Sequence, residues 1–181
     1  MKEKEIRDYL SPNWTSYIAV IFFGILALLG IAVAASSGPG ALIIVLLYVG
    51  LAALASLHPY GMHKEMNKVI QREKNLNHMQ EMEKDFEYAV AFCKDKVKAG
   101  QIYLFGKNTG TILKYEEIER VYLYVHKTNF VEDKREMKAV TRDKQTVTLC
   151  NLRTGKKDED ELKVFLSLIL AQNPSIKVGY R

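Results

Sequence analysis

The sequence predicts an α+β chain: a two-helix transmembrane hairpin, then a small antiparallel sheet or barrel capped by a C-terminal helix. Three observations carry this reading. Two apolar runs separated by a short turn lie near the N-terminus, segments rich in β-branched and aromatic residues begin at residue 101, and an amphipathic pattern lies near the C-terminus. The expected divisions are a cytoplasmic tail (1–13), the hairpin (14–60), a juxtamembrane helical region (61–100) and the sheet-containing domain (101–181).

Charge is distributed to match. Of the 26 basic and 21 acidic residues, only Lys2, Lys4, Arg7, Glu3, Glu5 and Asp8 precede residue 64, and none falls between Asn13 and His63. The net charge of +5 therefore belongs to the later part. A surplus that small on a mixed-charge surface gives no footprint for nucleic acid, and no such partner is expected.

"YIAVIFFGILALLGIAVAA" (Tyr17–Ala35) is unbroken apolar sequence, close to the roughly 20 residues a helix needs to cross the hydrocarbon core. "ALIIVLLYVGLAALASLH" (Ala41–His58) is a second run that Pro59 is expected to end. It argues against a cleaved signal peptide. "SSGPG" between them is an uncharged turn. Lys2, Lys4 and Arg7 precede the first run and Lys64, Lys68, Arg72 and Lys74 follow the second, so the positive-inside rule puts both termini in the cytoplasm of a two-span cell-membrane protein. Those last four side chains are the expected contacts with lipid headgroups. Trp14, Tyr17 and Tyr60 fall at interfacial positions. Gly30 with Ala34, and Ala52 with Ser56, are small residues four apart that allow close packing, either between the two spans or with another chain. No Asp, Glu, Lys or Arg lies in either span, and the one histidine, His58, stands at the end of the second, so no ion path or proton relay is expected there.

From Met62 to Ala99 there is no Pro or Gly, and the segment reads as helix. Phe86, Ala89, Val90, Cys93 and Val97 recur at helical spacing, with Gly100 as the terminator. "QIYLFG" and "TILKY" flank "KNTG", a hairpin whose Asn and Gly tolerate left-handed backbone. A phosphate-binding loop would place its glycines before the lysine and a helix after the threonine, so Lys107 is not read as a phosphate ligand. "IERVYLYVHK" is a strand, "TNFVEDKRE" a polar connection, and "MKAVT" with "TVTLCNL" a hairpin across "RDKQ". Asp158 and Glu161 resemble a capping box for a last helix that buries Leu162, Phe165, Leu166, Ile169 and Leu170, and "NPS" closes it.

The segments offer little chemistry. His58, His63, His78 and His126 have no ligand spacing, "YEEIE" and "KKDEDE" read as a strand start and a helix cap, and no nucleotide or nucleophile motif is present. Catalytic, cofactor and metal residues are therefore not expected. Cys93 and Cys150 stand far apart in the sequence with no CxxC pattern, and read as reduced thiols.

"GTILKYEEIERVYLY", "AVTRDKQTVTLCNL" and "ELKVFLSLILAQNPSIKVGY" together resemble bacterial membrane-anchored proteins with a pleckstrin-homology-like (PH-like) domain. The resemblance implies a small sheet capped by one helix and a binding role toward lipid, peptide or protein. Lipid-binding members gather basic residues in an early strand loop, where this chain has only Lys107, so inositol phospholipid binding is not carried over. The expected function is a non-enzymatic membrane-anchored scaffold or regulator that binds a protein partner or the membrane surface, with membrane lipids, a protein or a second copy of the chain as its partners. The alternative is an accessory subunit of a transport or secretion complex that makes its contacts through the spans.

Overall fold

The structure, a computed structural model, describes residues 2–37, 40–129, 131–152 and 159–180. The chain divides into two compact units, Pro12–Lys64 and Met1–Ser11 together with Glu65–Arg181.

In the first unit a 3-10 turn, Trp14–Tyr17, leads into α2 (Ile18–Ser37), and α3 (Gly40–Asn75) follows, its residues from Glu65 onward belonging to the second unit. Two helices are long and apolar enough to cross a membrane. Their large side chains point outward: Leu28 is 69% exposed, Ile43 71% and Leu46 70%. Ala27 and Val45 are buried, and the helices come close at Gly30, where a Cβ would stand 3.0 Å from Val45 Cγ2. Ala34, Ala52 and Ser56 are half-buried, and the Ser56 hydroxyl donates to the Ala53 carbonyl at 2.7 Å. The expected stop at Pro59 is corrected, since Pro59 lies inside α3. Proline there removes one N–H bond, and a long helix on either side tolerates the loss. The Tyr17 hydroxyl meets His63 Nε2 at 2.9 Å. Gly38 and Pro39 of the "SSGPG" turn lie outside the described residues.

The second unit is α+β. The N-terminal tail is a helix, α1 (Lys2–Leu10), and α4 spans Met79–Tyr88. One sheet is an antiparallel meander of β1 (Val90–Phe92), β2 (Val97–Ala99), β3 (Tyr103–Gly106) and β4 (Thr111–Lys114). The other joins β5 (Ile118–Thr128), β6 (Val131–Thr141), β7 (Thr146–Leu152) and β8 (Lys177–Tyr180) in the order β7-β6-β5-β8. Between β7 and β8 runs α5 (Glu159–Gln172), and β8 pairs in parallel with β5 from Arg120↔Lys177 to Leu123↔Tyr180. The sheets meet where Thr111 Oγ1 donates to the Thr148 carbonyl at 3.0 Å.

Strand alternation sorts the first sheet between two cores. Leu104 and Leu113 face a core shared with Val121, Met137, Leu149 and the α5 residues Leu162, Phe165 and Ile169. Tyr103, Phe105 and Ile112 face the opposite way, into a core with Ile6 and Leu10 of α1, Met66 and Ile70 of α3, and Met82 and Phe86 of α4. The meander is thus covered on both faces, which is why "YLFG" reads as a continuous apolar run.

Three expectations are corrected. The helix over 62–99 stops at Asn75, resumes as α4, and gives way to β1 and β2. Its break is a Schellman motif: Asn77 is left-handed at φ 58°, His78 N–H donates to the Glu73 carbonyl at 2.9 Å, and Asn77 N–H donates to that of Lys74 at 3.0 Å. Val90 and Val97, at helical spacing from Phe86, belong instead to paired strands, with Phe92↔Val97 closing the ladder. "TNFVEDKRE" is no loose connection, because β5 and β6 pair out to Thr128↔Val131, with a register shift between His126 and Lys127. "NPS" does close α5, which ends at Gln172, but that helix is not the last element, since β8 follows. Asp158 of the expected capping box lies outside the described residues.

Candidate functional site

The densest polar cluster is built around the last turns of α3. Glu73 is fully buried. It accepts from the Tyr103 hydroxyl at 2.8 Å, from Lys114 Nζ at 3.0 Å and from Arg72 at 3.0 Å, with His78 Nδ1 3.5 Å away. Arg72 also reaches Glu117 at 2.6 Å. Burial pushes the Glu73 carboxyl up, but the Tyr103 hydroxyl, Lys114 and Arg72 outweigh it and hold the group below its ordinary value. Burial, and then Glu73, push the Tyr103 phenol up. These are convergent groups that the sequence reading did not bring together. Every carboxylate oxygen is already occupied, so the cluster clamps α3 to β3, β4 and the Tyr115–Glu117 turn and presents no open valence to a substrate.

A second clamp lies beside it. Asp85 of α4 accepts the backbone N–H groups of Gln101, Ile102 and Tyr103 at 2.6, 3.1 and 2.8 Å. Gly100 does not end a helix, as expected, but makes room for this carboxylate: a Cβ there would lie 2.1 Å from Asp85 Oδ2.

The "KNTG" loop is the expected hairpin, with Asn108 at φ 57° and Gly110 at φ 68°. Its N–H groups do face acceptors, but these are the last carbonyls of α1: Asn108 donates to Tyr9 at 3.0 Å and Gly110 to Leu10 at 2.9 Å. Lys107 pairs with Asp95. The loop therefore caps the α1 C-terminus, leaving no cradle for phosphate.

Of the four basic residues expected at headgroups, Arg72 is in the Glu73 cluster and Lys74 pairs with Glu3 at 2.8 Å. Lys64 and Lys68 are exposed, and Lys68 lies 3.9 Å from Glu65. His126 Nδ1 meets Asp133 at 2.7 Å on the β5–β6 ribbon. The buried Glu136 carboxylate lies on that ribbon between Lys134 at 3.0 Å and Lys138 at 3.1 Å. An open depression of about 430 Å³ is bordered by Lys2, Gln80, Glu83, Lys84, Glu87 and Tyr88. Lys2 and Glu87 pair with each other across it. Among the described residues no group of three or more His, Cys, Asp or Glu side chains is placed to hold a metal.

The geometry defines an α+β domain with two four-stranded sheets, linked to a pair of apolar helices. The chain belongs to the family described as a domain of unknown function, DUF6709, which it matches over residues 61–181. No curated protein and no solved structure matches it.

Proposed function

We propose that this is a non-enzymatic two-span protein of the cell membrane, with both termini in the cytoplasm, whose PH-like domain binds a protein partner as a scaffold or regulator. The observation that carries the reading is the composition of the second core. Ile6 and Leu10, before the apolar hairpin, pack with Met66 and Ile70, after it. A domain assembled from both flanks requires those flanks on one side of any membrane that residues 12–64 cross. Two spans satisfy that requirement, and the basic flanks select the cytoplasmic side.

The PH-like assignment is supported by a four-stranded meander, a second meander of β5, β6 and β7, and α5 buried against both. The parallel β8 and the layer of α1, α3 and α4 are additions to that plan. With Arg72 and Lys74 engaged inside the domain, Lys64 and Lys68 are the residues available to lipid headgroups.

Capture of the full-length chain from its native membrane in mild detergent, with mass spectrometry of what co-purifies, tests the reading. A partner should be retained when the outward-facing Leu28 and Leu46 are changed to alanine. Loss of the partner in that variant would instead assign the contacts to the spans, as in an accessory subunit of a membrane complex.

A further inference from the structure

Cys93 and Cys150, far apart in the sequence, meet in the first core. Each is 1% exposed and both belong to that one cluster, and Lys96, the last residue of the β1–β2 turn, donates through Nζ to the carbonyl of Asn151, the neighbour of Cys150, which holds the turn against β7. Cys93 begins the turn between β1 and β2, whereas Cys150 lies in β7 opposite Met137. Their contact therefore crosses from one sheet to the other.

The turn that carries Cys93 is strained. Cys93, Lys94 and Asp95 are consecutive left-handed residues at φ 57°, 60° and 61°, and none is glycine. L side chains rarely adopt that conformation, and three in succession are held only by their surroundings. Lys96 N–H closes the turn on the Phe92 carbonyl at 3.1 Å, Lys107 pairs with Asp95, and the Tyr9 hydroxyl donates to the Asp95 carbonyl at 3.1 Å. β1 and β2 have three residues each, and β1 is an edge strand. A short edge hairpin with a strained turn opens locally at lower free energy than the domain unfolds, and that opening exposes Cys93.

We propose that Cys93 and Cys150 are a dithiol that a peroxide oxidises to a disulfide, stapling the β1–β2 turn to β7. The Cys93 thiolate attacks the peroxide O–O bond, forming a sulfenic acid and, with one proton, releasing water from a peroxide of the hydrogen peroxide type. The Cys150 sulfur then attacks the sulfenic sulfur and expels a second water. The two thiols together lose two electrons and two protons, and the peroxide is reduced to two waters. A small-molecule thiol of the glutathione class reverses the step by exchange, so the pair rests reduced in the cytoplasm. Cys93 lies in the edge turn that opens, whereas Cys150 lies within the paired strand β7, so Cys93 is the sulfur that first meets the oxidant.

The test is the intact mass and non-reducing peptide map of the full-length protein in mild detergent after exposure to hydrogen peroxide. The expected result is loss of the mass of two hydrogen atoms, a peptide linked through Cys93 and Cys150, and a melting temperature that rises and returns on adding dithiothreitol. In Cys150→Ala, Cys93 should instead be trapped as a sulfenic acid by dimedone. A wild-type mass that stays unchanged at a peroxide dose that oxidises the urea-unfolded chain would overturn the proposal. So would oxygen adducts on Cys93 without the linked peptide. The wild-type measurements need no variant to fold.

Discussion

Glu73 and Gly110 show how single residues set the domain's geometry. Glu73 has a lower pKa folded than its ordinary value of 4.5. A carboxylate of that kind stabilises the fold above its unfolded pKa and loses the contribution as pH falls through the folded one. The full-length protein should therefore lose stability on acidification below about pH 4.5, and Glu73→Gln should flatten that loss while lowering stability at neutral pH by about 3 kcal/mol, because the half-buried Lys114 is left beside an uncharged amide. Thermal melts across pH, wild type against variant, check both parts. Parallel curves would assign the acid sensitivity to other carboxylates, such as Glu3 or Glu136. At Gly110, φ of 68° excludes a β-branched side chain without strain. Gly110→Val should cost more than about 1 kcal/mol. Its N–H also caps Leu10, so the same melt reports whether α1 stays docked.

Among the elements, α5 and α1 each close one core. Phe165 is fully buried, with its ring 5.3 Å from that of Phe92, and Phe165→Ala should cost about 3 to 5 kcal/mol. An unmoved melting transition would make α5 a detachable arm. Leu10 is equally buried in the other core, and Leu10→Ala should cost about 2 to 5 kcal/mol, whereas truncating a loose tail would cost nothing measurable. The stripe of α5 was legible in the sequence because Leu162, Phe165 and Ile169 keep one period through a whole helix. The apolar runs and the "KNTG" hairpin were legible for the same reason: each rests on a local pattern. β1 and β2 were not, because three-residue strands carry no period of their own and Phe86, Val90, Cys93 and Val97 imitate a helix face across an element boundary. Asn77 was the available signal for the break, since asparagine stands in for glycine at a left-handed helix end. The Glu73 and Asp85 clusters and the thiol pair were beyond reach, because each joins positions that only the tertiary fold brings together.

On the scale of the whole molecule, the family match begins at residue 61, yet the folded unit also includes Met1–Ser11. The hairpin is thus an excursion from a domain that starts before it and is completed after it. If residues 12–64 cross a membrane, as proposed, the second core can form only where the chain returns to the side it left. The most direct measurement places single cysteines at Lys4, Ser37 and Lys163 in a chain whose Cys93 and Cys150 are replaced by alanine, and labels intact cells with an impermeant thiol reagent. Lys4→Cys and Lys163→Cys should react only after the membrane is permeabilised, and Ser37→Cys should react without it. Labelling of Lys4→Cys and Lys163→Cys from opposite sides of the membrane would contradict a domain built from both flanks of the hairpin.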